Sequence, residues 1–277
     1  MKEFNDLCFD LSKVITQRYS TSFTRGIKTL HKRFHYPIYA IYGFVRLADE
    51  IVDTFHAYDK KDLLDRFKDE TYKALNDGIS TNPVLQSFQV IVNKYHIEKE
   101  LVDAFLYSME MDLHKNQYDD SLYNKYIYGS AEVVGLMCLR VFCENDEALY
   151  QRMVEPARKL GAAFQKVNFL RDMKSDFKER GRVYFPGVDF DHFNNESKKQ
   201  IEADIDMDFR AAYPGVMALP RDVRPGVYVA FIYYRALLKK IQSLPASQVK
   251  HERIRVPDNE KFAMLLRTYY RFGLNMF

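Results

Sequence analysis

The chain has no tryptophan, and only 11 glycines, 9 prolines and 3 cysteines among 277 residues. No low-complexity segment appears. With so few chain breakers and with apolar residues recurring mostly at helical spacing, the fold class is read as all-α, with eight to ten helices expected. Cys8, Cys138 and Cys143 are odd in number and lack metal-ligand spacing, which argues against a disulfide or zinc framework and fits a reducing cytosol. Charge of one sign is also missing: 41 Lys+Arg against 38 Asp+Glu give +3, with no clustered basic footprint, so nucleic acid is not an expected partner. No Gly-x-Gly-x-x-Gly loop is present. The most apolar run, Val133 to Cys143, carries Arg140 and is about half the roughly 20 residues that a membrane span requires. The start, Met-Lys-Glu-Phe-Asn-Asp, is too polar for a signal peptide. The expectation is therefore a cytoplasmic protein with, at most, peripheral contact at the inner membrane, and no amphipathic stretch marks the contact face.

What is present is a large apolar fraction, 47% hydrophobic and 15% aromatic, enough for one core and a single domain over residues 1–277. Helices are expected over Glu3–Tyr19, from a Ser20-Thr21-Ser22 cap through Ile27 and Leu30, and from Pro37 to about Phe55. Further helices are expected over Asp59–Asn76, from Asn82-Pro83, over Glu98–Met111, and from Ser121 to Cys143. Asn145 is the expected cap of the next. The chain should turn irregular at Lys178–Arg182, after Asp176, and Tyr184-Phe185-Pro186-Gly187 reads as a loop over the mouth of a site. Helices over Glu196–Ala212, Pro220–Ser243 and Asp258–Phe272 follow, with Pro214, Pro220 and Pro225 marking a helix break. A polar loop is expected through Asn116-Gln117-Tyr118-Asp119-Asp120.

Two stretches break the rule that a buried helix face is apolar. Gln165, Asn168, Asp172 and Asp176 lie three, four and four apart and share one face. Asp49 and Asp53, with Arg46 three residues before, share a face at the end of a helix that is apolar on nearly every side. A lone Asp-x-x-x-Asp pair is more often a solvated acidic face. Two of them in one register, each after an apolar segment, would make a nest of hard oxygen ligands suited to Mg²⁺ shared with a diphosphate. Arg46, Arg171, Lys178, Arg180 and Arg182 stand beside these carboxylates. The structural reading, simple ion pairing, covers Lys178 and Arg180 better than it covers Arg46 or Arg182. Aromatic rings on the same helices, among them Tyr39, Tyr42, Phe44, Tyr126, Phe164, Phe169, Phe231 and Tyr233, are mostly core, and their negative faces could also stabilise a carbocation.

The motifs Tyr19-Ser20-Thr21-Ser22-Phe23, Ala40-Ile41-Tyr42 with Arg46 and Asp49-Glu50-Ile51-Val52-Asp53, and Tyr126-x-Tyr128-Gly129 before Val134-Gly135 carry a family resemblance. With Gln165-x-x-Asn168-x-x-Arg171-Asp172-x-x-x-Asp176 and Gly181-Arg182-x-Tyr184-x-Pro186, the chain resembles the squalene/phytoene synthase family, in the family's order, from about Tyr19 to Lys261. The resemblance implies an isoprenoid synthase helical bundle with a central cavity. It implies Mg²⁺ binding by Asp49, Asp53, Asn168, Asp172 and Asp176, with Mn²⁺ able to substitute. Arg46, Arg171, Arg182 and Arg253 would hold diphosphate, with Ser20 and Ser22 near it and Gln165 just inside the mouth. Tyr42, Tyr126 and Tyr233 match tyrosines near the reacting carbons, whereas Tyr19, which stands where the family often has histidine, receives no role.

The motif wording is most like bacterial phytoene synthases. The expected reaction is condensation of two geranylgeranyl diphosphates to phytoene without NADPH, the first committed step of carotenoid biosynthesis. A squalene or dehydrosqualene synthase using farnesyl diphosphate is the alternative, and a non-catalytic scaffold of the same fold the more distant one. An insoluble hydrocarbon product implies peripheral membrane contact or hand-over to a desaturase.

Overall fold

The computed structural model describes residues 1–114 and 118–273, with backbone alone at 179 and 180. Asn116 and Gln117 of the expected polar loop, and the Arg180 side chain, lie outside the described residues. Within these bounds the chain forms α-helices and no β-sheet. They are α1 Lys2–Tyr19, α2 Thr21–Lys28, α3 His35–Asp53, α4 Lys60–Asp77, α5 Pro83–Tyr95, α6 Lys99–His114 and α7 Asp120–Ile127. Then follow α8 Val133–Cys143, α9 Glu147–Arg180, α10 Asn195–Ala218, α11 Arg224–Gln242, α12 Ala246–His251 and α13 Asp258–Phe272.

Many of the boundaries follow local chemistry. Ser20 Oγ accepts the Phe23 N–H at 3.2 Å and opens α2. Asn82 accepts from Val84 and Leu85 ahead of α5, whose first residue is Pro83. Gly78, at φ 68°, closes α4 in the left-handed region that glycine enters without strain.

Other boundaries differ from expectation. Asp146, not Asn145, caps α9, and Asn145 itself sits at φ 70°. The segment 178–180, expected to be irregular, remains helical, so α9 runs 34 residues to a Gly181 cap. α10 continues through Pro214 to Ala218, and the break falls between Leu219 and Val223 instead. Packing explains that override: a Cβ added at Gly215 would lie 2.2 Å from Pro156 Cβ, so the two prolines sit where α9 and α10 press together. The short helix α12 was not anticipated.

α3 is the hub, packed on α1, α4, α5, α6 and α8. Phe44 stacks on Phe88 of α5 at 3.9 Å between ring centroids, with Phe67 and Phe105 at 5.6 and 5.3 Å. A second core gathers Leu170, Phe209 and Leu237 from α9, α10 and α11. The segment after α9 is anchored in this core, and its Arg182 and Tyr184 border the main cavity. Tyr184 stacks on Phe169 at 4.1 Å, and Phe190 stacks on Phe177 at 3.9 Å.

Between α7 and α8, residues Tyr128–Glu132 form a π-helical turn, in which the Val133 N–H reaches back to Tyr128 O. The resulting continuous helix, Asp120–Cys143, is 24 residues long and apolar enough to cross a membrane by length and composition. More than half of its apolar window is buried, and it packs between α6 and α9 as an internal wall. At Gly129 an added Cβ would lie 2.5 Å from the Ala104 carbonyl oxygen and 2.7 Å from Ser108 Cβ. Backbone cannot yield as a side-chain tip does, so Gly129→Ala is expected to cost about 1–3 kcal/mol. A urea denaturation midpoint equal to that of the parent chain would refute this.

Candidate active site

One cavity of about 750 Å³ lies between the two cores. Every residue of the expected site set lines it: Ser20, Ser22, Tyr42, Arg46, Asp49, Asp53, Tyr126, Gln165, Asn168, Arg171, Asp172, Asp176, Arg182, Tyr233 and Arg253. The carboxylates and arginines line it together with apolar side chains such as Ile38, Ile41, Val45, Val134, Leu139, Phe142 and Leu160.

The last turns of α3 present Arg46, Asp49 and Asp53. Burial, reinforced by the Asp53 charge one turn on, pushes the Asp49 carboxyl up to about 8. Arg46 pairs with Glu50 and lies over the Tyr19 ring, 4.3 Å from its centroid, while its Nε is buried without a hydrogen-bond partner. Tyr19, left without a role, thus supports this arginine. Burial raises the Tyr42 hydroxyl to about 12, so it stays protonated near neutrality.

Across the cavity, α9 presents Asn168, Asp172 and Asp176. Asp172 is held by Arg171 beside it and by Arg253, whose Nε is 2.8 Å from Asp172 Oδ1. Asn168 Oδ1 accepts from Tyr234 at 3.2 Å, and Tyr234 stacks on Phe164 at 4.1 Å. The sequence pointed to Tyr233; both tyrosines line the cavity, and it is Tyr234 that hydrogen-bonds to the acidic stripe. Asp176 is buried one turn on.

Arg182 ties the acidic helices to a residue that the sequence reading missed. Its Nη1 is 3.1 Å from Asp53 Oδ1 and 3.3 Å from Asp112 Oδ1, and its Nη2 donates to the Asp112 carbonyl at 2.8 Å. Tyr126 donates its hydroxyl proton to Asp112 Oδ2 at 2.8 Å. Burial pushes the Asp112 carboxyl up to about 6, against the pull of Arg182. A signal for Asp112 existed: it continues the buried α6 series Val102, Phe105, Leu106 and Met109 at helical spacing. A carboxylate on that face demands a partner.

Among the described residues, no three His, Cys, Asp or Glu side chains already converge as an assembled metal site. The donor set nonetheless suits a hard divalent cation, because it is all oxygen and the carboxylates of two helices, Asp49 and Asp53 on one and Asp172 and Asp176 on the other, line the same cavity.

A family model described as squalene/phytoene synthase matches residues 16–260. A phytoene synthase of Arthrospira platensis is 28% identical over 262 residues, covering 84% of each chain. A 15-cis-phytoene synthase of Synechocystis is 28% identical over 273 residues, covering 85% of this chain and 77% of the relative. Among solved structures, a dehydrosqualene synthase in complex with ligand superposes with a TM-score of 0.83 at 21% identity, covering 98% of both chains. A squalene synthase from Alicyclobacillus acidocaldarius gives 0.75 at 18% identity over 88% of this chain and 95% of that one. These structural likenesses establish the fold, an all-α isoprenoid synthase bundle. With the family model spanning most of its length, the chain belongs to the squalene/phytoene synthase family.

Proposed function

We propose that this chain condenses two geranylgeranyl diphosphates head to head, through a cyclopropyl (prephytoene) diphosphate, to phytoene. One observation carries the reading: a single apolar cavity is lined by both acidic helices and by the arginines between them. The relatives named phytoene synthases direct the substrate choice to the C20 diphosphate. The whole of residues 1–277 acts as one domain, in the cytoplasm.

Asp49, Asp53, Asn168, Asp172 and Asp176 would hold Mg²⁺, with Mn²⁺ able to substitute. Bound there, the ion supplies charge neutralisation that makes diphosphate a better leaving group. Arg46, Arg171, Arg182 and Arg253, with the Ser20 and Ser22 hydroxyls, bind the diphosphate oxygens; fixed donors aimed at developing charge need no reorganisation during the reaction. The second prenyl double bond attacks the allylic cation, and loss of a proton closes the cyclopropane. A second ionisation, rearrangement and proton loss complete phytoene without a reductant. The ring faces of Tyr42, Tyr126 and Tyr233 stabilise the cations, and burial keeps the Tyr42 and Tyr126 hydroxyls protonated, so neither of these two offers a phenolate to trap them. The apolar lining excludes the water that would otherwise quench the cations.

Purified protein incubated with Mg²⁺ and geranylgeranyl diphosphate, without NADPH, is expected to give phytoene, and chelation by EDTA should stop the reaction until Mg²⁺ is restored. Hydrocarbon from farnesyl diphosphate alone would overturn the C20 reading in favour of a dehydrosqualene synthase. Absence of diphosphate release from any prenyl diphosphate would leave a non-catalytic scaffold.

A further inference from the structure

Helix α13 is a wall one helix thick between the cavity and solvent. On its inner side Lys261, Met264 and Leu265 line the cavity, and Thr268 is fully buried. On an adjacent row Phe262, Leu266 and Tyr270 recur every fourth residue and are 57%, 37% and 93% exposed. Apolar side chains at helical spacing, all open to solvent, ask for a partner.

The charge around this row says what kind. Arg267 and Arg271 follow Leu266 and Tyr270 by one residue each, and no acidic residue occurs from Lys261 to Gly273. Arg267 makes no ion pair among the described residues. Arg271 accepts no counter-charge: its guanidinium donates to the Tyr228 hydroxyl at 2.8 Å and the Tyr213 hydroxyl at 3.4 Å, both neutral groups. Tyr213, itself exposed, extends the aromatic surface from α10. α2 borders the same cavity through Ser22, Phe23 and Arg25, with the Phe23 ring exposed and Arg25 within electrostatic reach of Asp258 at the start of α13.

We propose that the outer face of α13 docks on an anionic lipid bilayer, with Phe262, Leu266 and Tyr270 in the headgroup–acyl boundary and Arg267 and Arg271 at the level of the lipid phosphates. An apolar row flanked by arginines is what an interfacial helix requires. Docked in this way, the wall of the cavity stands against the phase into which a C40 hydrocarbon partitions. The role in product release rests on the proposed function; the docking does not.

The test is sedimentation of the full chain with vesicles of phosphatidylcholine, with and without phosphatidylglycerol. Wild type should sediment with the anionic vesicles and only weakly with the neutral ones. Arg267→Gln should weaken anionic-vesicle binding about fivefold, the worth of one basic side chain near such a surface. Phe262→Ser with Leu266→Ser should weaken it more than tenfold, with helical content unchanged and turnover of detergent-dispersed substrate intact, since neither residue lines the cavity. Wild type that stays in the supernatant, or a double serine variant that binds as tightly as wild type, overturns the proposal. So does a dimer that the double variant dissociates, which would assign the face to a second copy. Vesicle binding by a chain that makes no phytoene would support the docking face and overturn the reaction instead.

Discussion

Asp172→Ala is expected to lower Mg²⁺-dependent diphosphate release on the order of 10³-fold while leaving the helical circular dichroism spectrum unchanged. Asp172 stands one turn from both Asn168 and Asp176 and is the carboxylate on which Arg171 and Arg253 converge. On the proposed function, its loss would remove one of the Mg²⁺ ligands and release two arginines assigned to the diphosphate from different elements. Alanine is the strongest helix former, and the side chain is only 17% exposed in the cavity wall, so α9 has no local reason to unwind. Asp172→Asn keeps the shape and loses the charge. It should fall nearly as far, which separates charge from packing. Near-normal turnover in either variant would mean that the chemistry is centred elsewhere.

Arg182→Met should have the largest effect on stability. It leaves Asp112 buried without its cation and removes the link to Asp53, and breaking a buried pair by deleting one partner costs about 3–5 kcal/mol. For a chain of this size the melting temperature should fall on the order of 10 °C. Adding Asp112→Asn should recover part of the loss, because the asparagine can remain buried without charge. The sign of the pH dependence follows from Asp112 being raised to about 6 in the folded state. The folded chain then binds more protons than the unfolded one between roughly 4 and 6, so this group's contribution to stability falls as pH rises through that window. Without Arg182 the carboxyl rises further, so the variant should lie closer to wild type at pH 5 than at pH 8. An equal gap at the two pH values would show that Arg182 does not face an ionisable Asp112.

Residues with a strong local pattern were legible in the sequence. Asn168, Asp172 and Asp176 were visible because helical periodicity places polar groups where a buried face should be apolar, and Asp49 and Asp53 for the same reason. The structure puts both sets on one cavity. Asp112 was passed over although the same logic applied to it, because it follows Glu110 in a stretch that also reads as a solvated helix end. What local pattern could not supply was the outcome of competition between propensity and packing. Pro214 stays helical because α10 is pressed on α9, and α9 runs on to Arg180 because Gly181 supplies its left-handed cap. For the last helix the sequence supplied only the span Asp258–Phe272, because which of its apolar rows has neighbours is decided by tertiary packing.

The π turn at Tyr128–Glu132 acts as a phase shifter. One extra residue per turn offsets everything before it by about 100° relative to an unbroken α-helix. With that offset Tyr126 reaches Asp112 while Val134 and Leu139, beyond the turn, still face the cavity. Deleting one residue between 128 and 132 would restore a regular helix yet rotate its two halves out of register, so a shorter and more regular chain would lose the alignment of the tyrosine with the hydrocarbon wall. Here one surplus residue, rather than any particular side chain, holds the two ends of the helix on a common bearing.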